Sequence, residues 1–283
     1  MFDIFLYPVS AILWFWHTVF GALLSPDSGA AWVLAIVFLV FSIRTLLIRP
    51  ALGQLRAGRR NQKLAPQMKK IREKYGKDRQ RMAQEIQKLH ADNGTSPFAG
   101  CLPALLQIPV FLSLYWVLRD FEPGATSNHV FDQAGVTSFL NADLFGAKLG
   151  NWVSQPAAEL AAFGTDKAHM LAVGIPLMLI ASAATFLSMR MSLKRQVDAN
   201  PQIAGISKAM MYLAPAGMLG SGLFFPVPIG VLLYFLANNV WTFGQQHFLT
   251  AKVDREEAAA APEEKPKAAA PRPGQKPKRH RPT

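Results

Sequence analysis

Apolar residues in this chain gather into long uncharged runs, rather than recurring at the 3.6-residue period of a surface helix or the alternation of a half-buried strand. A helix needs about 20 apolar residues to cross the hydrocarbon of a bilayer, where every backbone group must be bonded internally. Five segments reach that length: Ala30–Ile48, Pro97–Leu118, Ala168–Met189, Ile206–Phe224 and Pro228–Phe248, and none contains Asp or Glu. The pattern predicts an all-α integral membrane protein with five transmembrane helices in residues 30–248. A further stretch, Phe2–Leu24, is long enough to cross, yet its Trp14, Phe15, Trp16 and His17 cluster suits a headgroup interface. It carries no Lys or Arg and so lacks the basic start of a signal peptide. We read residues 1–29 as an interfacial amphipathic helix on the outer face.

Between the first two spans the period changes. Leu64, Met68, Ile71 and Tyr75 follow i, i+4, i+7, i+11, and Met82, Ile86 and Leu89 repeat the pattern. Two amphipathic helices follow, with a turn at Gly76 and Lys77, Asp78 as N-cap, and Gly94 closing the second. Residues 54–93 are therefore expected to form a basic helical hairpin, either lying on anionic lipid as a topology signal or docking nascent chains and partners. The tail, residues 249–283, is rich in Ala, Pro, Lys and Glu, cannot bury a core and is expected to be disordered. Its basic end could meet ribosomal RNA or lipid phosphates, or stay solvated.

Charge orients the spans. The formal net charge is +12; thirteen Lys and Arg fall between Arg49 and Lys88, four from Arg190 to Lys208, and nine after the fifth span. The connection 119–167 carries three basic residues against six acidic ones. The positive-inside rule then places the hairpin, the third loop and the C-terminus in the cytoplasm, with the N-terminus and loop 119–167 outside. The single cysteine, Cys101, permits neither a disulfide framework nor a cysteine metal site.

Arg44 is the one charge well inside a span. On a continuous helix it would lie roughly 7 Å deeper than Arg49 and point about 140° away. Burying Arg at a helix centre costs about 2.5–3.5 kcal/mol on insertion scales, so it must snorkel to headgroups or face a partner or water. The fifth span offers a polar stripe: Tyr234, Asn238, Trp241 and Gln245 at i, i+4, i+7, i+11, with Asn239, Thr242 and Gln246 beside them. Gln107 in the second span and Ser182, Thr185 and Ser188 in the third add neutral hydrogen-bonding groups. Each alone reads as a helix-to-helix hydrogen bond. Together with an unpaired Arg they predict a hydrophilic groove open to the cytoplasm, lined by Arg44, Gln107, Tyr234, Asn238, Asn239, Trp241, Thr242 and Gln245.

The chemistry of an enzyme is missing from this pattern: no nucleophile stands with a base, no carboxylate pair or metal cluster forms, and neither a phosphate loop nor HExxH occurs. No cofactor, metal or small-molecule substrate is implied. A proton- or sodium-coupled transporter would carry an intramembrane acid, and no inverted repeat is visible. A polar-lined channel remains as an alternative.

The run Asn93, Gly94, Thr95, Ser96, Pro97, Phe98, Ala99, Gly100, Cys101 to Gln107, Ile108, Pro109, Val110 and Phe111 resembles the "NP-GGC-P-LIQ-P-F" signature of the YidC/Oxa/Alb insertases. Ile43, Arg44 and Thr45 to Pro50 resemble that family's Arg-bearing first core helix, and the hairpin's Pro66, Gln67 and Met68 match in place. Phe225 and Pro226 through Tyr234 to Gln245 and Gln246 resemble its last span. Ser96 replaces a common Asn, which leaves the helix-opening role intact. The resemblance implies a compact five-span insertase of a bacterial plasma membrane that integrates and helps fold nascent membrane proteins, alone or with the Sec translocon. It also implies contact with anionic lipids and, through the tail, with the ribosome.

Overall fold

The computed structural model describes residues 3–95, 102–195 and 201–260. Ser96–Cys101, with the helix-opening Pro97 and the lone cysteine, lie outside these, as do residues 196–200 and the basic tail from residue 261. The described chain is helical almost throughout: α1 (Asp3–Leu24), α2 (Gly29–Leu46), α3 (Ile48–Lys63), α4 (Ala65–Tyr75), α5 (Arg79–Asp92), α6 (Leu102–Arg119), α7 (Gln133–Asn141), α8 (Ala157–Ala162), α9 (Lys167–Arg195), α10 (Pro201–Phe224) and α11 (Ile229–Ala260). One antiparallel ribbon, β1 (Asp143–Leu144) with β2 (Ala147–Lys148), completes it. Among the described residues α1, α2 and Lys167–Leu193 of α9 are long and apolar enough to cross a bilayer. The chain is an all-α membrane protein. Helices α6, α10 and α11 coincide with the remaining apolar segments of the sequence.

Helix α11 packs between α2 and α9, α10 lies against α9, and α1 packs on both α2 and α6. The segment after α6 folds over one end of this assembly on an aromatic core. There Trp32 is fully buried, meets Phe139 and Phe121 edge-on with centroids 4.9 and 5.7 Å apart, and donates from Nε1 to Ser138 Oγ at 3.1 Å. Such rings combine a large buried area with a polar tip that needs one partner. Gly29 opens α2 directly beneath the ribbon: a Cβ there would lie 1.7 Å from the Asp143 carbonyl oxygen, so only glycine fits.

Helix α1 and the turn that follows it both touch this same segment. Near its start, Tyr7 meets the His129 ring edge-on at 5.5 Å and Ser10 Oγ accepts from the Val130 N–H at 3.5 Å; past its end, Ser138 donates to the Pro26 carbonyl at 2.7 Å. In the middle, Trp16 donates to Ser42 Oγ of α2 at 2.9 Å, and His17 stacks on Trp32 at 3.7 Å.

The α2 helix stops at Leu46, and Leu47 (φ −87°, ψ 3°) separates it from α3. Pro50 explains the break: in a continuous helix its ring would strike the carbonyl of Leu46, four residues back. The 140° separation of Arg44 and Arg49 assumes an unbroken helix, which the break at Leu47 removes. Beyond it the expected hairpin helices are present as α4 and α5, packed on each other. Asp78 accepts from the Arg81 N–H at 3.0 Å, Leu64 and Met68 are buried, and Gly94 (φ +58°) follows the second helix.

One expectation is overturned. Residues 249–260 were expected to begin a disordered tail, but α11 continues through them to Ala260, with Val253 buried. Composition misleads here because Ala, Glu, Lys and Arg are strong helix formers, and because α3 supplies partners that a reading of the tail by itself does not contain. Arg56 pairs with Glu256, Arg59 with Asp254 and Lys63 with Glu257.

Candidate functional site

Arg44 sits in the last turn of α2, just before the break. Its side chain reaches α11, where Nε donates to Asn238 Oδ1 at 2.9 Å and Nη2 donates to the same oxygen at 2.5 Å. Among the described residues no carboxylate forms an ion pair with it. The guanidinium is thus hydrogen-bonded but not neutralised. It borders a cavity of about 290 Å³ walled by α2, α3, α9 and α11. Thr242, Gln245, Gln246, Leu249 and Thr250 of α11 line one side, Gln54, Gly58, Arg59 and Gln62 of α3 the other, and Ser192 of α9 a third.

The eight residues singled out from the sequence divide into three sets. Arg44, Thr242 and Gln245 line the cavity. Asn238 and Trp241 stand behind them: Asn238 holds Arg44, while Trp241 packs on Phe41 at 5.2 Å and donates from Nε1 to Gln245 Oε1 at 2.8 Å. Thr242 Oγ1 bonds back to the Asn238 carbonyl at 2.7 Å. Tyr234 and Gln107 are not in the cavity wall. Gln107 Nε2 donates to the buried Tyr234 hydroxyl, one turn beyond Asn238, beside the ring of Phe111.

Asn239 is likewise displaced from the expected lining. Successive helical residues diverge by about 100°, so with Asn238 turned to Arg44 its neighbour must face elsewhere. It faces α9, donating to Thr185 Oγ1 at 3.0 Å and accepting from Ser188 Oγ at 3.0 Å. Ser182 donates to the Pro215 carbonyl of α10 at 3.2 Å. For these α9 hydroxyls and for Asn239 the helix-to-helix reading is the one the geometry supports.

The sequence does not single out the α3 wall, because residues 54–93 read as one basic surface hairpin. A signal was present. Ala51, Gln54, Leu55, Gly58 and Gln62 repeat at i, i+3, i+4, i+7, i+11, a small and neutral stripe between the basic residues. Chemically the cavity offers one unneutralised cation, amides and hydroxyls, and room for a short polar segment of chain.

Comparison with known proteins agrees with this architecture. The family described as "60Kd inner membrane protein" matches residues 23–256. The "Membrane protein insertase YidC" of Mycobacterium tuberculosis (strain CDC 1551 / Oshkosh) is 43% identical, covering 98% of this chain and 81% of the relative. That of Mycobacterium leprae is 41% identical over 98% and 77% of the two chains. That of Streptomyces avermitilis is 36% identical over 88% and 58%. With its apolar helices and these bacterial relatives, the protein is of the multi-pass inner-membrane kind. The chain belongs to the 60Kd inner membrane protein family, which includes the YidC insertases.

Proposed function

We propose that the protein is a membrane protein insertase whose working site is the cavity beside Arg44, with five spans, the N-terminus outside and the C-terminus in the cytoplasm. The observation that carries this reading is a guanidinium within the helical bundle that lines a polar cavity with an amide, not a carboxylate, as its partner. A short polar or acidic segment of a nascent membrane protein enters from the cytoplasm, where Arg44, Gln245 and Thr242 offset part of its desolvation. The adjoining apolar segment then moves into lipid, and burial of its surface drives the step. No covalent bond changes.

In this arrangement α1 lies across the outer interface. Its contacts with the 120–166 segment, made by Tyr7 and Ser10, support that placement. The α4–α5 hairpin lies at the cytoplasmic surface, where its basic face meets anionic headgroups and incoming chains. The Sec translocon and, through the tail, the ribosome are the further partners of this reading.

Reconstitution tests it. Purified protein in liposomes should integrate a small single-span substrate, scored by protease protection, without passing a steady ion current. Steady conductance with no integration would instead make it a polar-lined channel.

A further inference from the structure

On α3, Arg56, Arg59 and Lys63 stand at i, i+3 and i+7, one face of the helix. Each meets a carboxylate of the α11 extension. Arg56 donates from Nε and Nη2 to the two oxygens of Glu256 at 3.0 and 2.8 Å, Arg59 pairs with Asp254, and Lys63 lies 2.9 Å from Glu257. Of these cations, Arg59 is the one that also lines the cavity holding Arg44. It is the least exposed of the three, at 26% against 44% and 70%, whereas its partner Asp254 is 53% exposed. Asp254 follows the buried Val253, which anchors the extension, so the carboxylate can leave Arg59 by a side-chain rotation without moving the helix.

We propose that Arg59 is a specificity residue at the mouth of the cavity, the first cation met by an acidic segment of an incoming chain, and that Asp254 is its displaceable counter-ion. The proposal rests on the insertase reading and extends it to how substrates are chosen. An exposed ion pair is weak and screened by salt. Exchanging one carboxylate for another on Arg59 therefore costs little, and the incoming segment gains the unneutralised Arg44 further in. A neutral segment gains no compensating partner when it displaces Asp254. The pair thus filters for acidic segments, while Arg56–Glu256 and Lys63–Glu257, outside the cavity wall, hold the extension in place.

The test uses the full-length protein in nanodiscs and a fluorescent ten-residue soluble peptide carrying four Glu, beside its counterpart carrying four Gln. Asp254→Asn should tighten binding of the Glu peptide about fivefold, the size of an exposed ion pair released from competition, and leave the Gln peptide unchanged. Adding Arg59→Gln to Asp254→Asn should abolish that gain. Glu256→Gln, which alters net charge equally, should not produce it. An unchanged affinity in Asp254→Asn, a gain that survives Arg59→Gln, or an equal gain from Glu256→Gln would each overturn the proposal. Insertion by the same variants in liposomes separates the two ideas. A protein that integrates its substrate but shows none of these binding differences refutes the filter alone, whereas one that binds as expected and integrates nothing refutes the insertase reading.

Discussion

The Arg44 guanidinium gives the most direct test of the cavity, because charge and hydrogen-bond geometry can be removed separately. A carboxylate about 4 Å from it would gain about 4 kcal/mol at an effective dielectric of ~20. The cavity is only partly enclosed, so we take roughly half of that, about 2 kcal/mol, as the attraction available to an acidic segment, equivalent to about 30-fold in occupancy. Arg44→Ala should therefore slow insertion of an acidic-tailed substrate by about 10- to 30-fold and affect a neutral-tailed one far less. Arg44→Lys keeps the charge and loses the two-point grip on Asn238 Oδ1, a charge-assisted contact that holds the side chain in place but does not touch substrate. It should stay within about threefold of wild type. The assay is insertion of paired substrates, one acidic-tailed and one neutral-tailed, into liposomes containing each variant at matched density. If Ala equals wild type on both, Arg44 is a snorkelling anchor and the attraction step is gone. If Lys fails as badly as Ala, fixed hydrogen-bond geometry rather than charge is what the cavity requires.

Asn238→Leu and Asn239→Leu should part company. The first frees Arg44 and lowers insertion with little loss of thermal stability; the second strands the Ser188 hydroxyl and removes the bond to Thr185, which keeps its bond to the Ala181 carbonyl, and should lower stability by about 1–2 kcal/mol, read as a fall in melting temperature. Equal effects on both readouts would refute the division of the stripe. Deleting residues 64–93 should leave the spans in place with insertion impaired, since α4 and α5 pack on each other; protease mapping that showed lost or inverted spans would make the hairpin a topology element instead. The α3–α11 contact should respond to acid. Hydrogen bonds from Arg56 hold the Glu256 carboxyl below its ordinary range, so the contact is complete above the unfolded glutamate pKa of about 4.3 and weakens as pH falls through the lowered value. Spin labels on Arg60→Cys and Ala258→Cys in a Cys101→Ser background should report one distance from pH 5 to 8 and a longer one only once the pH has fallen well below about 4.3. Lengthening between pH 6 and 8 would contradict this.

The apolar spans and the polar stripe were legible because each follows from a local rule, length in one case and period in the other. Arg44 stood out as an intramembrane charge, and its partner Asn238 as a stripe member, although their contact joins residues 194 apart and no period could pair them. The polar stripe is wider than the cavity face of α11. Seven residues within 13 positions of one helix cannot all face one cavity, and the 100° step separates Asn238 from Asn239 whatever their chemistry. The α3 wall and the α11 extension escape the sequence for one reason: each is built against the other, and neither segment alone contains its partner. Gly58 and Gln62 look like surface residues, and Asp254 to Glu257 like a solvated tail, until the two helices are placed side by side.

The two cations of the cavity are treated in opposite ways, and the difference bears on mechanism. Arg44 has its hydrogen bonds met by a neutral oxygen, so its positive potential stays available to whatever enters; an aspartate in place of Asn238 would satisfy the same geometry and cancel that potential. Arg59 is neutralised, but by an exposed carboxylate that water and salt can replace. By helical rise, Asn238 and Asp254 lie about 24 Å apart along α11. A site that must release what it binds benefits from this order. The outer pair makes arrival reversible and selective, and the inner cation, held by an amide, attracts without forming the tight bidentate clamp that a carboxylate partner across the cavity would require the substrate to break. Exchanging the two arrangements should then be informative. Asn238→Asp should silence Arg44 as effectively as Arg44→Ala on acidic-tailed substrates while preserving its position, and adding Asp254→Asn should not restore the loss.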